Sequence, residues 1–164
     1  MPDQETLERA RRDKDEGKSP STQAGDFVRE EFHHVREGKH GVRSPKQAIA
    51  IGLSKARRAG VDLKPPKGGR GSSKIREQAK RDLAKGRSGN RKTSPRRSRA
   101  TSRALKREST ATASRSALSR QARNASKRRG HSSLHNAAMR AVRTKEREGL
   151  RRTDRKAARR RRNR

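Results

Sequence analysis

The chain has 164 residues and a formal net charge of +32, because it contains 49 lysines and arginines but only 17 aspartates and glutamates. Only 24% of the residues are hydrophobic, which is typical of chains that cannot bury enough surface to offset the entropy of ordering. The lack of cysteine excludes disulfides and cysteine-ligated zinc, and no apolar run predicts a membrane span or a signal peptide.

The charge is unevenly distributed along the chain. Residues 1–63 contain 13 basic and 11 acidic residues, a net charge of +2, whereas residues 64–164 contain 36 and 6, a net charge of +30. We therefore predict a mainly α-helical fold with extensive disorder: an N-terminal helical hairpin followed by a long, basic, largely disordered tail with nascent helices. The predicted segments are a charged N-terminal segment (1–20), a helical hairpin module (21–63), a Pro/Gly/Ser linker (64–74) and a basic nucleic-acid-binding tail (75–164).

Two helices are predicted before residue 40. The first covers residues 3–16 and is short and charged, with a thin apolar face. The second covers about residues 22–37, with Ser21 or Thr22 as its cap and Gly38 as its end. Its apolar stripe consists of Phe27, Val28, Phe32 and Val35.

The third predicted helix lies in "SPKQAIAIGLSKARRAG", residues 44–60. Ser44 is its N-cap, and Gln47 completes a capping box. Gly60 ends the helix, and Val61 is placed to form a contact of the Schellman type. The predicted buried face consists of Ile49, Leu53 and Ala56. The core of the resulting hairpin is small, so self-association or a ligand is expected to contribute to its stability.

The tail beyond the linker has three weak apolar stripes, which start at Ile75, Leu118 and Leu134. Repulsion between like charges opposes helix formation there, so we expect order only when phosphates neutralise the charge. The stretch "TSPRRS", residues 93–98, contains the S/T-P-K/R-K/R element of linker-histone tails. A Ser-Pro turn of this kind presents two adjacent cations to DNA.

The block "STQAGDFVREEFHHVREGKHGVRSPKQAIAIGLSKARRAGVDLKPP", residues 21–66, resembles an uncharacterised bacterial family of small basic proteins, a domain of unknown function. Within the tail, "ALSRQARNASKRR" is similar to the tail pattern of that family. The tail also resembles histone H1-like bacterial proteins by composition. The resemblance implies a bacterial, intracellular origin and no particular activity.

Histidines are the remaining candidates for metal chemistry. On a helix, Glu30 and His34 share one face, as do His33 and Glu37, but no known spacing supplies a third ligand. We therefore predict surface pairing of these side chains and no metal or cofactor. The pair His131 and His135 is interpreted in the same way. The sequence also lacks nucleophile and phosphate-loop motifs, so an enzyme is not predicted.

Duplex DNA is the partner that this charge predicts best, with RNA as an open alternative. The sequence has no Trp or Tyr to stack on unpaired bases, so binding through the phosphate backbone, largely independent of sequence, is expected. The leading hypothesis is a non-enzymatic, nucleoid-associated, histone H1-like protein of the cytoplasm; the alternative is a ribosome- or RNA-associated basic protein. The candidate nucleic-acid-binding residues are Lys39, Arg43, Lys46, Lys55, Arg57, Arg58, Arg91, Lys92, Arg96, Arg97, Lys127, Arg128, Arg129, Arg159, Arg160, Arg161 and Arg162.

Overall fold

The structure is a computed structural model that describes residues 2–66, 72–89 and 94–162. Most of these residues are helical. Within these ranges the six α-helices are α1 (Gln4–Asp15), α2 (Pro20–Arg36), α3 (Pro45–Arg58), α4 (Ser73–Arg87), α5 (Pro95–Lys106) and α6 (Arg115–Arg162). A short 3₁₀ turn, Ala111–Ala113, precedes α6. Helix α6 is interrupted at Gly130, whose backbone has φ 72° and ψ 165°. None of the described helices is both long enough and apolar enough to cross a membrane.

The predicted extensive disorder is wrong, because α4, α5 and α6 all lie in the segment that was expected to be disordered. The chain divides into two compact units, residues 1–119 and residues 120–164. The first unit therefore extends well beyond the hairpin expected at residues 21–63. Composition averaged over the long tail concealed a few small or polar residues that pack closely against the hairpin.

Local signals place the ends of α2 and α3. Ser19, rather than Ser21 or Thr22, caps α2, since its Oγ accepts a hydrogen bond from the Thr22 N–H at 3.3 Å. Helix α3 begins as predicted, with Ser44 Oγ accepting from the Gln47 N–H at 3.3 Å. The Gln47 side chain accepts from the Arg43 N–H at 2.9 Å, one residue earlier than in a standard capping box.

The end of α3 is a Schellman motif, as predicted. Gly60 has φ 98°, and the Val61 N–H donates to the Ala56 carbonyl at 3.1 Å. Val61 is buried and packs in the core.

Helices α2 and α3 pack through small residues. The buried positions Ala48, Gly52 and Ala56 follow one another at intervals of four, whereas Ile49 and Leu53 are only half-buried. The buried face of α3 therefore differs from the predicted one: Ala48 and Gly52 are buried in place of Ile49 and Leu53, while Ala56 is buried as predicted. A Cβ atom on Gly52 would lie 2.7 Å from Val28 Cα, so the two helices approach each other at this point more closely than a side chain permits.

Two small apolar clusters form the core of residues 1–119. The first contains Ala10, Ala24, Phe27, Ala56 and Val61, and it joins α1, α2 and α3. The second contains Val35, Val42, Ala48 and Ala113. Ala113 brings the segment that precedes α6 into the core, although it is far from α2 and α3 in sequence.

Helix α4 packs on α3 around one buried acid. Asp82 is only 1% exposed, and its carboxylate accepts hydrogen bonds from Ser54 Oγ and Arg58 Nε, both at 2.7 Å. Gly86 permits the close contact of the two helices, because a Cβ atom there would lie 2.0 Å from the Arg57 carbonyl oxygen. Ala79 completes the buried face of α4.

The last turn of α5 and the segment that follows it are hydrogen-bonded to the loop between α2 and α3. The Gly41 N–H donates to the Leu105 carbonyl at 3.0 Å, and the Val42 N–H donates to the Ser109 carbonyl at 3.1 Å. Thr112 Oγ1 donates to the Val42 carbonyl at 3.0 Å. These bonds satisfy loop groups that would otherwise be buried without partners.

Candidate nucleic-acid interface

Helix α5 is strongly basic and contains no buried residue. It has no acidic residue, and its cations are Arg96, Arg97, Arg99, Arg103 and Lys106. Pro95 occupies the first turn, so the expected Ser-Pro turn is instead the start of this helix. Arginines at a helix N-terminus oppose the helix dipole, and cations three or four residues apart repel each other. An anion bound along α5 would relieve both penalties.

Helix α6 carries exposed cations of its own. Lys127, Arg128 and Arg129 are exposed immediately before Gly130. Among the later side chains whose burial the structure describes, the exposed cations are Arg140, Arg143 and Lys145. The backbone of α6 also includes the predicted residues Arg159, Arg160, Arg161 and Arg162. The predicted residues Arg91 and Lys92 lie outside the described part of the chain.

Most of the cations predicted in the first 63 residues form ion pairs or hydrogen bonds within the fold. Arg58 bonds to Asp82, and Arg57, only 8% exposed, donates from Nε to the Leu63 carbonyl at 3.0 Å. The remaining ion pairs are Lys39 with Glu37 at 3.0 Å, Arg43 with Glu108 at 3.2 Å, and Lys55 with Glu30 at 3.0 Å and Glu31 at 2.8 Å. Lys46 is exposed.

The pKa values of two of these cations shift in opposite directions, although burial lowers both. For Lys55, desolvation is the largest single influence and favours the neutral amine, but Glu31 and Glu30 together outweigh it and raise the pKa above its ordinary value. For Arg57, burial lowers the pKa from its ordinary value, and Asp82 opposes this effect only partly. Both side chains therefore bind partners within the fold. The cations of α5 and those of α6 that are described as exposed remain accessible to a ligand.

A group of ionisable side chains, here called the histidine–glutamate cluster, joins the start of the chain to α2 and to the loop after it. It consists of Asp3, Glu30, Glu31, His34 and His40. His40 Nε2 lies 3.2 Å from Glu31 Oε1, and His34 Nε2 lies 3.0 Å from Asp3 Oδ2. One potential ligand atom from each of Glu31, His34 and His40 lies within 4.8 Å of the other two.

No sequence pattern predicted this cluster beyond the pairing of Glu30 with His34. His40 follows α2 in a loop, so no helical spacing relates it to Glu31. Only the turn at Gly38, which has φ 73°, directs the chain back towards α2. Within the cluster, the hydrogen bond to His34 is the main cause that lowers the pKa of Asp3.

An open apolar groove of about 490 Å³ lies beside α3 and α4, and its lining includes Leu53, Leu63, Ile75 and Ala79. Asp82 also lines the groove, but its carboxylate is held by Ser54 and Arg58. An acid with these partners is a structural element rather than a free base.

Residues 17–68 match the model of a Family of unknown function (DUF6496). The expected resemblance of residues 21–66 to an uncharacterised family is therefore confirmed. The matched segment includes all of α2 and α3 and the histidine–glutamate cluster except Asp3. No curated protein and no solved structure gives a significant match.

Proposed function

We propose that the protein is a non-enzymatic DNA-binding protein that contacts duplex phosphates through the exposed cations of α5 and α6, largely without regard to base sequence. The observation that carries the proposal is α5: a helix with five cations, no acid and no buried residue. In free solution its charges repel each other, whereas phosphates neutralise them and release condensed counterions. In a bacterial cell this activity corresponds to a histone H1-like protein of the nucleoid.

The distribution of aromatic residues supports contact with the backbone rather than with bases. The chain has no Trp or Tyr, Phe27 is fully buried, and Phe32 packs against the core. Base stacking on exposed aromatic rings, which most binders of single strands use, is therefore not provided by these side chains. Arginine and lysine instead bind phosphate oxygens at positions that carry no sequence information.

The salt dependence of binding tests this proposal. Full-length protein is titrated onto two unrelated DNA duplexes over a series of salt concentrations, with fluorescence anisotropy as the measurement. Log affinity should fall linearly with log salt, with a slope of about −0.9 for each phosphate contacted, and equally on both duplexes. A structured RNA added as competitor at equal salt separates DNA binding from the alternative of an RNA-associated protein.

A matched pair of variants locates the interface. Replacing Arg96, Arg97 and Arg99 with glutamine should weaken binding and reduce the magnitude of the slope by as much as about 2.7, because each contact contributes about 0.9. The control replaces Arg11, Arg12 and Lys14, three exposed cations of α1, with glutamine. It removes the same charge from a different helix and should leave the slope nearly unchanged. Equal losses in both variants, or a thousandfold preference for one duplex, would contradict the proposal.

A further inference from the structure

We propose that Glu31, His34 and His40 bind a divalent transition-metal ion of the Zn²⁺ class, a function separate from DNA binding. The three side chains offer two imidazole nitrogens and one carboxylate oxygen within 4.8 Å of one another. Zn²⁺ accepts this combination readily, whereas Mg²⁺ and Ca²⁺ prefer sets made of oxygen alone. A tetrahedral ion would retain a fourth position for water or a further ligand.

In His40, one ring nitrogen is hydrogen-bonded to a carbonyl group, and the other lies next to the Glu31 carboxylate. His40 Nδ1 lies 3.1 Å from the Gly41 carbonyl, and a carbonyl only accepts, so Nδ1 carries the hydrogen. In the neutral ring Nε2 then presents a lone pair, and it faces Glu31 Oε1 at 3.2 Å. Two acceptors at this distance repel each other unless a proton on Nε2 or a metal ion lies between them.

Glu31 is a buried carboxylate without a hydrogen-bond donor. The residue is 0% exposed, and neither of its oxygens accepts a hydrogen bond among the described residues. Lys55 Nζ forms an ion pair with Oε2 at 2.8 Å, so Oε1 is the oxygen that Lys55 does not reach as closely. A buried carboxylate in this state is costly, and a bound metal ion would remove the cost at Oε1 while Lys55 remains at Oε2.

His34 is oriented in the way that metal-binding histidines usually are. Its Nε2 lies 3.0 Å from Asp3 Oδ2, so a hydrogen on Nε2 leaves the lone pair on Nδ1. Nδ1 faces the buried side of the cluster, 4.0 Å from Glu30 Oε1. Asp3 thus acts as a positioning residue, because a carboxylate on the second nitrogen fixes the ring and makes the first nitrogen a better ligand.

Distance and charge are both consistent with a divalent ion. Two ligands of a tetrahedral Zn²⁺ with bonds of about 2.0–2.1 Å lie roughly 3.3 Å apart. The separation of His40 Nε2 and Glu31 Oε1 is 3.2 Å. The cluster has three carboxylates, and among the described residues Lys55 forms ion pairs with two of them, whereas Lys39 acts on Asp3 only from a greater distance. An excess of negative charges therefore remains when both imidazoles are neutral. One divalent ion compensates them.

The metal would join three parts of the fold. Glu31 and His34 lie on α2, Asp3 precedes α1, and His40 is in the loop that ends at α3. Gly41, the next residue, donates the hydrogen bond to Leu105 that holds the end of α5. Metal binding should therefore stabilise the whole first unit against unfolding.

Calorimetric titration of ZnCl₂ into the full-length, chelator-treated protein tests the site, in a buffer without phosphate. We expect one Zn²⁺ per chain in the wild type and a melting temperature that rises with Zn²⁺ concentration. His40→Gln and Glu31→Gln should each weaken binding at least about tenfold. Co²⁺ as a second probe should give the strong visible absorption of a four-coordinate ion, and His40→Gln should remove it.

Two histidine variants serve as matched controls. His33 is adjacent to His34 but exposed and paired with Glu37, and His135 is exposed on α6. His33→Gln and His135→Gln should leave the affinity unchanged. Circular dichroism of each metal-free variant verifies the fold, and if Glu31→Gln does not fold, the loop variant His40→Gln decides. Absence of binding to the wild type, or binding that His40→Gln leaves intact, would overturn the proposal.

Discussion

At the scale of single residues, glycines determine how closely the helices approach one another. Gly52 lies where α3 crosses α2, and a Cβ atom there would be 2.7 Å from Val28 Cα and 2.9 Å from the Val28 backbone nitrogen. Backbone atoms cannot move away as the end of a flexible side chain can. The position therefore depends on the absence of a side chain, although glycine weakens the helix itself.

Gly52→Ala should destabilise the protein by about 1–3 kcal/mol, because the methyl group forces the two helices apart. The control is Gly25→Ala on α2, where nothing lies within 4 Å of the added Cβ atom. This control should stabilise the protein by about 0.5–1 kcal/mol through higher helix propensity. Urea unfolding measures both, and the idea of close packing fails if the two variants change stability in the same direction.

At the scale of elements, buried polar side chains hold helices that have little apolar surface. Helix α4 buries Ala79 and Asp82, and the acid receives hydrogen bonds from Ser54, Arg58 and Gln78. Charged hydrogen bonds of this kind are stronger than neutral ones and specify one alignment of the two helices. This is why a basic, polar segment is ordered without a large hydrophobic face.

Asp82→Ala should reduce the free energy of unfolding by about 1–3 kcal/mol, since the hydrogen bonds from Ser54 and Arg58 to a charged, buried acceptor are lost. Asp62→Ala is the comparison, because Asp62 pairs with Arg87 at 3.0 Å but its side chain is 61% exposed. Exposed ion pairs contribute about 0–1 kcal/mol, so this change should be small. Guanidinium unfolding followed by circular dichroism measures both, and an equal, small effect of the two variants would show that α4 does not depend on Asp82.

At the scale of the whole molecule, the ordered unit is larger than the hairpin that its apolar residues suggest. Residues 1–119 form one compact unit, in which Ala113 packs against Val35, Val42 and Ala48. The hairpin alone would lose this contact, the α4 contacts and the hydrogen bonds to Gly41 and Val42. The segments beyond the hairpin therefore stabilise the hairpin as well as carrying basic charge.

A chain ended after Pro66 should melt at a lower temperature than a chain ended after Ser119. A loss of one kcal/mol lowers Tm by about 4–8 °C in a domain of this size, so we expect a difference on the order of 10 °C. Thermal circular dichroism measures both chains. Equal melting temperatures would mean that the hairpin is stable without the segments that pack on it.

The candidate DNA interface could be predicted from the sequence, whereas the candidate metal site could not. The exposed cations of α5 and α6 follow from composition, because charge needs no tertiary context to be recognised. The histidine–glutamate cluster depends on His40, which reaches Glu31 only through the turn after α2 and the loop beyond it. Likewise Lys55 and Arg57 were predicted as DNA contacts, yet the fold surrounds them with acids and carbonyl groups.

The two ends of α3, from its Ser44 cap to the Gly60 motif, and the excess of positive charge after residue 63 can be recognised from the amino-acid sequence alone. These features act over four or five residues, or through composition, so each can be recognised locally. Which face of α3 is buried depends on packing between helices, because Gly52 and its alanine neighbours allow the backbone of α3 to approach α2 closely. The order of α4 and of the segment around Ala113 also depends on tertiary contacts, because long-range contacts such as those of Asp82 and Ala113 offset the repulsion that composition predicts.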